Sequence, residues 1–217
     1  MRFVVLGALV VVSLIHVIGL FFSNYKIKAI TKPLIVPLIL GFYLLSTQNV
    51  NWLIFAALAC GWLGDIILLI KTKKGMVGGA FLFLFEQIIL VVAITMIVNF
   101  SKISLFYVIT LPIIYITCAI VYHFIFIRKY QKGTIFALSN LYLASNGIAN
   151  AFALVYTLSN PTLKAAILFA GTTLFFISDA ILIYSRLTKK MNLDPKHIFI
   201  MITYILAQTA IVISFIL

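Results

Sequence analysis

Along the chain, apolar stretches of roughly 20 residues alternate with short breaks rich in Lys, Asn and Pro. The stretches fall at about 3–22, 33–50, 52–70, 77–98, 104–127, 134–157, 163–185 and 198–217, each near the length a helix needs to cross bilayer hydrocarbon. The pattern predicts an all-α, polytopic membrane bundle of eight transmembrane helices forming one domain over residues 1–217. The shortest break is Gln48-Asn49-Val50-Asn51. Met1-Arg2 precedes a long apolar run, but no convincing small-residue cleavage site comes before Ser23-Asn24, so the run is expected to be span one rather than a removed signal.

Composition agrees with the pattern. Hydrophobic residues make up 65% of the chain and charged residues 9%, and the mean hydropathy is +1.24, far from the soluble range. Eight spans with short loops use up the chain, which excludes a soluble enzyme, a nucleic-acid-binding domain and a single-span receptor. The net charge of +12 changes the picture only through its placement. The breaks on the side of the N-terminus hold Arg2, Lys102 and Lys164. The opposite breaks hold the other 13 of the 16 Lys and Arg residues, in clusters around Lys26-Lys28-Lys32, Lys71-Lys73-Lys74, Arg128-Lys129-Lys132 and Arg186-Lys189-Lys190-Lys196. By the positive-inside rule the richer face is cytoplasmic and both termini lie outside. A seven-span reading would scatter these charges over both faces. The expected location is the plasma membrane of a bacterial cell, with membrane lipids as surroundings and no nucleic-acid partner.

Of the four acidic residues only Asp194 is expected in a loop, while Asp65, Glu86 and Asp179 fall inside spans. An Asp at the centre of a membrane helix costs about 2.5–3.5 kcal/mol on insertion scales, so three such residues need a reason. Gly64-Asp65-Ile66-Ile67-Leu68 and Ser178-Asp179-Ala180-Ile181-Leu182 share the pattern small-Asp-X-Ile-Leu. Spans three and seven run in the same direction, and each Asp precedes its first cytoplasmic cation by six or seven residues, roughly 10 Å of helix. Two carboxylates can therefore share one membrane layer, and the correspondence hints at a four-plus-four duplication. Span six adds Ser139, Asn140, Tyr142, Ser145, Asn146 and Asn150; span eight adds Tyr204 and Gln208 one turn apart; span four adds the adjacent Glu86 and Gln87, which cannot face the same way. Lys32-Pro33 is expected to open span two at the cytoplasmic rim, where an ammonium can meet a lipid phosphate. Asn and Gln at such positions also serve as interhelical hydrogen bonds.

His16, His123 and His197 lack metal-ligand spacing, and no nucleophile elbow or phosphate-cradling loop is present, so no metal or cofactor is expected. Cys60 and Cys118 are expected to be buried as small apolar groups. What remains is a carboxylate pair at lipid depth. Two close carboxyls in a low-dielectric bundle rarely both ionise, which leaves a proton donor beside a carboxylate. Glycoside hydrolysis uses that division of labour. An enol ether lipid suits it, since protonation of the vinyl carbon gives an oxocarbenium ion that water converts to a hemiacetal and then an aldehyde.

At these residues the chain resembles the YhhN-like membrane proteins, whose animal relatives are lysoplasmalogenases. The resemblance rests on Lys32-Pro33, Gly64-Asp65, a Gly-rich start to span four, Ser178-Asp179, and Tyr204 with Ala207-Gln208. It implies hydrolysis of the vinyl ether bond of a lysoplasmalogen, a lysophospholipid, to a fatty aldehyde and a glycerophospho-alcohol. Asp65 and Asp179 would be the catalytic acid and base, in an order left open. Gln87, Asn140, Asn146, Tyr204 and Gln208 would orient substrate and water, and Lys32 would contact the phosphate. The family often carries a His in span four in a Gly-X3-Phe-X3-His pattern. Counted from Gly79 through Phe83 that position is Gln87, and counted from Gly78 it is Glu86.

Two other classes remain open. A proton-coupled transporter or flippase would use the same carboxylates and is often marked by helices broken near its site; the interior prolines expected here, Pro37 and Pro112, lie beside neither Asp. A membrane scaffold would have no water-accessible cavity at the pair. The charge asymmetry itself makes a prediction: a reporter active only in the cytoplasm, fused after Leu217, is expected to stay silent. Bright signal would contradict the eight-span topology.

Overall fold

The computed structural model describes residues 1–70, 72–188 and 193–217, with the side chains of residues 73 and 193–197 left out. Lys71, Lys189 and Lys190, three of the cations counted on the richer face, lie outside the described residues, as do the side chains of Lys73, Lys196 and His197. Among the described residues the chain is helical, with no strand: α1 Arg2–Phe21, α2 Tyr25–Ser46, α3 Trp52–Leu68, α4 Lys73–Thr95, α5 Leu105–Tyr122, α6 Thr134–Ser159, α7 Leu163–Thr188 and α8 Leu193–Ile216. A 3-10 turn, Phe100–Lys102, precedes α5, and a π-helical segment, His123–Ile127, extends it. Among the described residues seven helices are long and apolar enough to cross a membrane; α3, at 17 residues, is shorter.

The polar breaks supply the caps that start the helices. Asn24 accepts hydrogen bonds from the backbone of Lys26 and Ile27, Asn51 from Leu53, Thr72 from Gly75, and Ser104 from Phe106, each satisfying amides that a helix N-terminus leaves unpaired. The observed helix starts correct two boundaries. With Asn24 as cap, α2 begins eight residues before the expected start, so Lys32 and Pro33 sit in its interior instead of opening it. α8 begins at Leu193, so Asp194 and His197, expected in a loop, fall in its first turns.

Two prolines inside α2 have a structural consequence. Pro37 has no N–H to give the carbonyl of Pro33 four residues back. That carbonyl instead accepts the indole N–H of Trp62 at 2.8 Å, which ties α2 to α3 next to Asp65.

α6 is the most buried of the long helices and α5 the least. α6 packs on α4, α5 and α7; α3 pairs tightly with α4 and α7 with α8; α1 and α2 lie against each other and α8. The closeness of α3 and α4 depends on glycine. A Cβ on Gly79 would stand 2.7 Å from Leu68, and one on Gly64 would meet the Phe83 ring at 3.0 Å. One expectation is corrected: Cys118 is exposed on the outer surface of peripheral α5, and Cys60 on α3 is only half-buried. His123 is buried as a hydrogen-bonded residue, between the Ala119 carbonyl and the Ser139 hydroxyl.

Replacing Trp62 by Phe keeps the ring but strands the Pro33 carbonyl. A loss of about 1 kcal/mol is expected, seen as a lower unfolding midpoint in detergent; an unchanged midpoint would show that the bond does not hold α2 on α3.

Candidate active site

The two aspartates line one cavity of about 850 Å³, within the size range of small-molecule sites. Tyr25, Lys28, Thr72, Gln131 and Arg186 also line it. These residues lie at the α1–α2, α3–α4 and α5–α6 connections and the end of α7, so the cavity reaches the cation-rich end of the bundle. Asp65 and Asp179 lie deeper and are only 3% and 2% exposed. A smaller apolar recess of about 60 Å³ adjoins it between α4, α6 and α7, sharing Leu68, Met76, Phe83 and Leu182.

The two carboxyls have unlike partners. Asp65 receives the Lys32 ammonium on Oδ1 at 2.8 Å and the Tyr204 hydroxyl on Oδ2 at 2.9 Å. Lys32 reaches it because α2 is already helical there, and Trp62 holds that stretch against α3. Tyr204 is fixed edge-on against Phe175, with ring centroids 5.6 Å apart. Asp179 meets only neutral donors in the described hydrogen bonds, both on Oδ2: the Tyr142 hydroxyl and the Asn146 amide at 2.6 Å. Tyr142 and Asn146 are one turn apart on α6, as the polar stripe required.

The chain belongs to the YhhN family. That family's sequence pattern matches residues 27–215, nearly the whole chain. No curated protein and no solved structure gives a significant match.

In this YhhN-family protein the other expected site residues divide. Gln208 donates to Glu86 Oε1 at 2.6 Å and to the Tyr204 oxygen at 3.4 Å, so it stands behind Asp65. Gln87 is fully buried with neither amide atom hydrogen-bonded. Asn146 likewise stands behind Asp179 and does not line the cavity. Asn140 is half-buried and joins none of these contacts; at 100° per residue it is about 200° around α6 from Tyr142, on another face. Asn150 is consumed between helices, donating to Tyr115 and accepting from Thr172 and Thr173.

Three site residues were read in the sequence only as topology or stripe. Arg186 follows Asp179 by two turns and faces the same cavity. Lys28 precedes Lys32 by one turn, with the same result. Tyr142 bonds Asp179 directly. The helical spacing to each known site residue was the available signal. Among the described residues, no three His, Cys, Asp or Glu side chains gather as a metal site.

The Lys32–Asp65 pair is nearly buried, with side chains 15% and 4% exposed. Removing one partner of such a pair leaves an uncompensated charge, so Lys32→Met is expected to cost about 3 kcal/mol or more. Adding Asp65→Asn should recover most of that loss. A double mutant as unstable as Lys32→Met would contradict the pairing.

Proposed function

We propose that this protein is a membrane lipid hydrolase that cleaves the vinyl ether bond of a lysoplasmalogen. The observation that carries the reading is two membrane-depth carboxyls on one cavity, one paired with a cation and the other held by neutral donors. Asp65, with a cation on one oxygen and a hydroxyl donor on the other, is the carboxylate. Asp179, whose two donors both fall on Oδ2, carries a proton on Oδ1 and is the acid.

Asp179 protonates the vinyl carbon on the chain side of the double bond, and the ether-bearing carbon becomes an oxocarbenium ion. Asp65 stabilises that cation and takes a proton from the water that adds to it. The hemiacetal then loses its hydroxyl proton as the glycerol oxygen gains one, and the C–O bond breaks to release a fatty aldehyde and a glycerophospho-alcohol. Lys32 has two N–H donors beyond the one on Asp65. With Lys28 and Arg186 it forms a cationic collar for the lysophospholipid phosphate, while the adjoining recess takes apolar chain.

The same reading places α3 across the membrane as an eighth span: 17 residues give roughly 25 Å, enough for a thin crossing. Both termini then lie opposite the cation-rich cytoplasmic face, in the plasma membrane of a bacterial cell.

One observation favours the transporter reading. Pro33 proves to be interior to α2 and adjacent to Lys32, so a proline does lie beside the Asp65 site. Yet α2 stays helical from Tyr25 to Ser46, and Trp62 satisfies the freed carbonyl, so the broken-helix signature is missing.

Asp65→Asn and Asp179→Asn are each expected to lower aldehyde release on the order of 100-fold or more, with the double mutant little worse than either. A saturated ether analogue, which lacks the alkene that accepts the proton, should stay intact. Equal cleavage of both lipids, or full release by the Asn variants, would defeat the mechanism. Transport without aldehyde would favour the second reading.

A further inference from the structure

Glu86 is a third carboxyl at membrane depth, 2% exposed, and the reaction above leaves it without a task. Its place is set by Gly61, one turn before Asp65 on α3. A Cβ at Gly61 would stand 2.6–2.7 Å from the Glu86 carboxyl atoms, so the carboxyl lies directly on the bare backbone beneath Asp65. Its Oε1 accepts from Gln208 Nε2. An amide NH2 has two protons, and with one given to Glu86 the other points to the Tyr204 oxygen. Tyr204, already accepting there, sends its own proton to Asp65. Every bond in this chain is therefore directed from its Glu86 end. Without an acceptor at position 86, Gln208 is free to turn its carbonyl toward Tyr204 and draw the hydroxyl proton away from Asp65.

The second oxygen leads to the other aspartate. Glu86 Oε2, both amide atoms of Gln87 and Asn146 Oδ1 are buried without a hydrogen-bond partner. Helices α4 and α6 run in the same direction, and the Phe83 and Tyr142 rings meet across them at 6.0 Å. Gln87 and Asn146 each follow one turn later, which sets them at about one level; Glu86, though about 100° from Gln87 around α4, lies in the same helical turn, so only a molecule between the side chains can join them. A buried group left unpaired is destabilising, and a buried water typically makes about three bonds to such groups.

We infer that Glu86 is a positioning residue shared by both aspartates: Oε1 fixes Asp65 through Gln208 and Tyr204, and Oε2 fixes Asp179 through a buried water held with Gln87 and Asn146. By bonding Asn146 Oδ1, that water keeps the Asn146 N–H on Asp179. The task requires hydrogen-bonding atoms rather than charge, so glutamine serves in place of glutamate.

The inference has a structural test that does not depend on the vinyl ether reaction and a kinetic one that rests on it. Crystals grown in a lipid mesophase, at a resolution that shows ordered water, should give a density peak within hydrogen-bond reach of Glu86 Oε2, a Gln87 amide atom and Asn146 Oδ1. The peak should persist in Glu86→Gln. In Glu86→Leu the Gln208 amide should turn. A wild-type map without the peak, or a Leu variant with Gln208 and Tyr204 unmoved, overturns the inference. In the aldehyde assay Glu86→Leu should lose about tenfold or more in kcat with KM changed less than about twofold, and Glu86→Gln should stay within about threefold of wild type. Equal losses in the two variants overturn it. If Glu86→Leu does not fold, Gln208→Leu breaks the same chain from the other side and should lose kcat to the same extent; full activity there overturns the positioning role. A wild-type protein that releases no aldehyde but shows the peak removes the proposed reaction and leaves the positioning role standing.

Discussion

The ion pair between Lys32 and Asp65 is the constraint around which this bundle is organised. A carboxylate at membrane depth is costly to desolvate, and an ammonium at 2.8 Å makes its charge tolerable only if other donors complete the shell. That requirement shapes the surrounding helices. α2 must be helical through Lys32, which Asn24 secures by starting it early. It must also lie close to α3, which the Trp62 bond to Pro33 secures. Tyr204 on α8 then fills the remaining oxygen of Asp65. Three helices thus converge on one carboxylate, and the cavity is the space left in front of it.

Asp179 is supported differently, and the proposed division of acid and base rests on that contrast. α6 supplies a hydroxyl and an amide to the same oxygen, with no cation paired to it among the described residues. Close packing makes the two settings coexist. Glycines at 61, 64 and 79 let α4 approach α3 until side chains rest on backbone, which brings Phe83 to Tyr142 and the Glu86 carboxyl beneath Asp65. In the proposed reading, the cations at the mouth receive the anionic head of an amphiphile and the carboxyls below act on a bond a short way down its chain.

Much of this was legible in the sequence because membrane thickness dictates the length of apolar runs, and the two small-Asp-X-Ile-Leu stretches singled out two carboxyls that line one cavity. The start of α2 was misjudged for a physical reason: Lys26, Lys28 and Lys32 resemble a loop by charge, yet Lys28 and Lys32 line a cavity and so can belong to a helix. Asn140 was grouped with the stripe by proximity along the chain, although its phase on the helix places it elsewhere. Arg186 was hidden by a sufficient alternative explanation, since a cation at a helix end read as cytoplasmic needs no other role. Glu86 was visible as an anomaly, but its partners Gly61 and Gln208 lie on other helices, and no local pattern connects them.

If a membrane-depth carboxyl delivers a proton to a vinyl carbon, the solvent should mark the product. The decisive measurement is turnover of a vinyl ether lysolipid in heavy water, with the aldehyde trapped as it forms and analysed by mass spectrometry. The account predicts one deuterium on the carbon next to the aldehyde carbon, where the vinyl carbon received its proton. Trapped aldehyde with no deuterium at that carbon would contradict it.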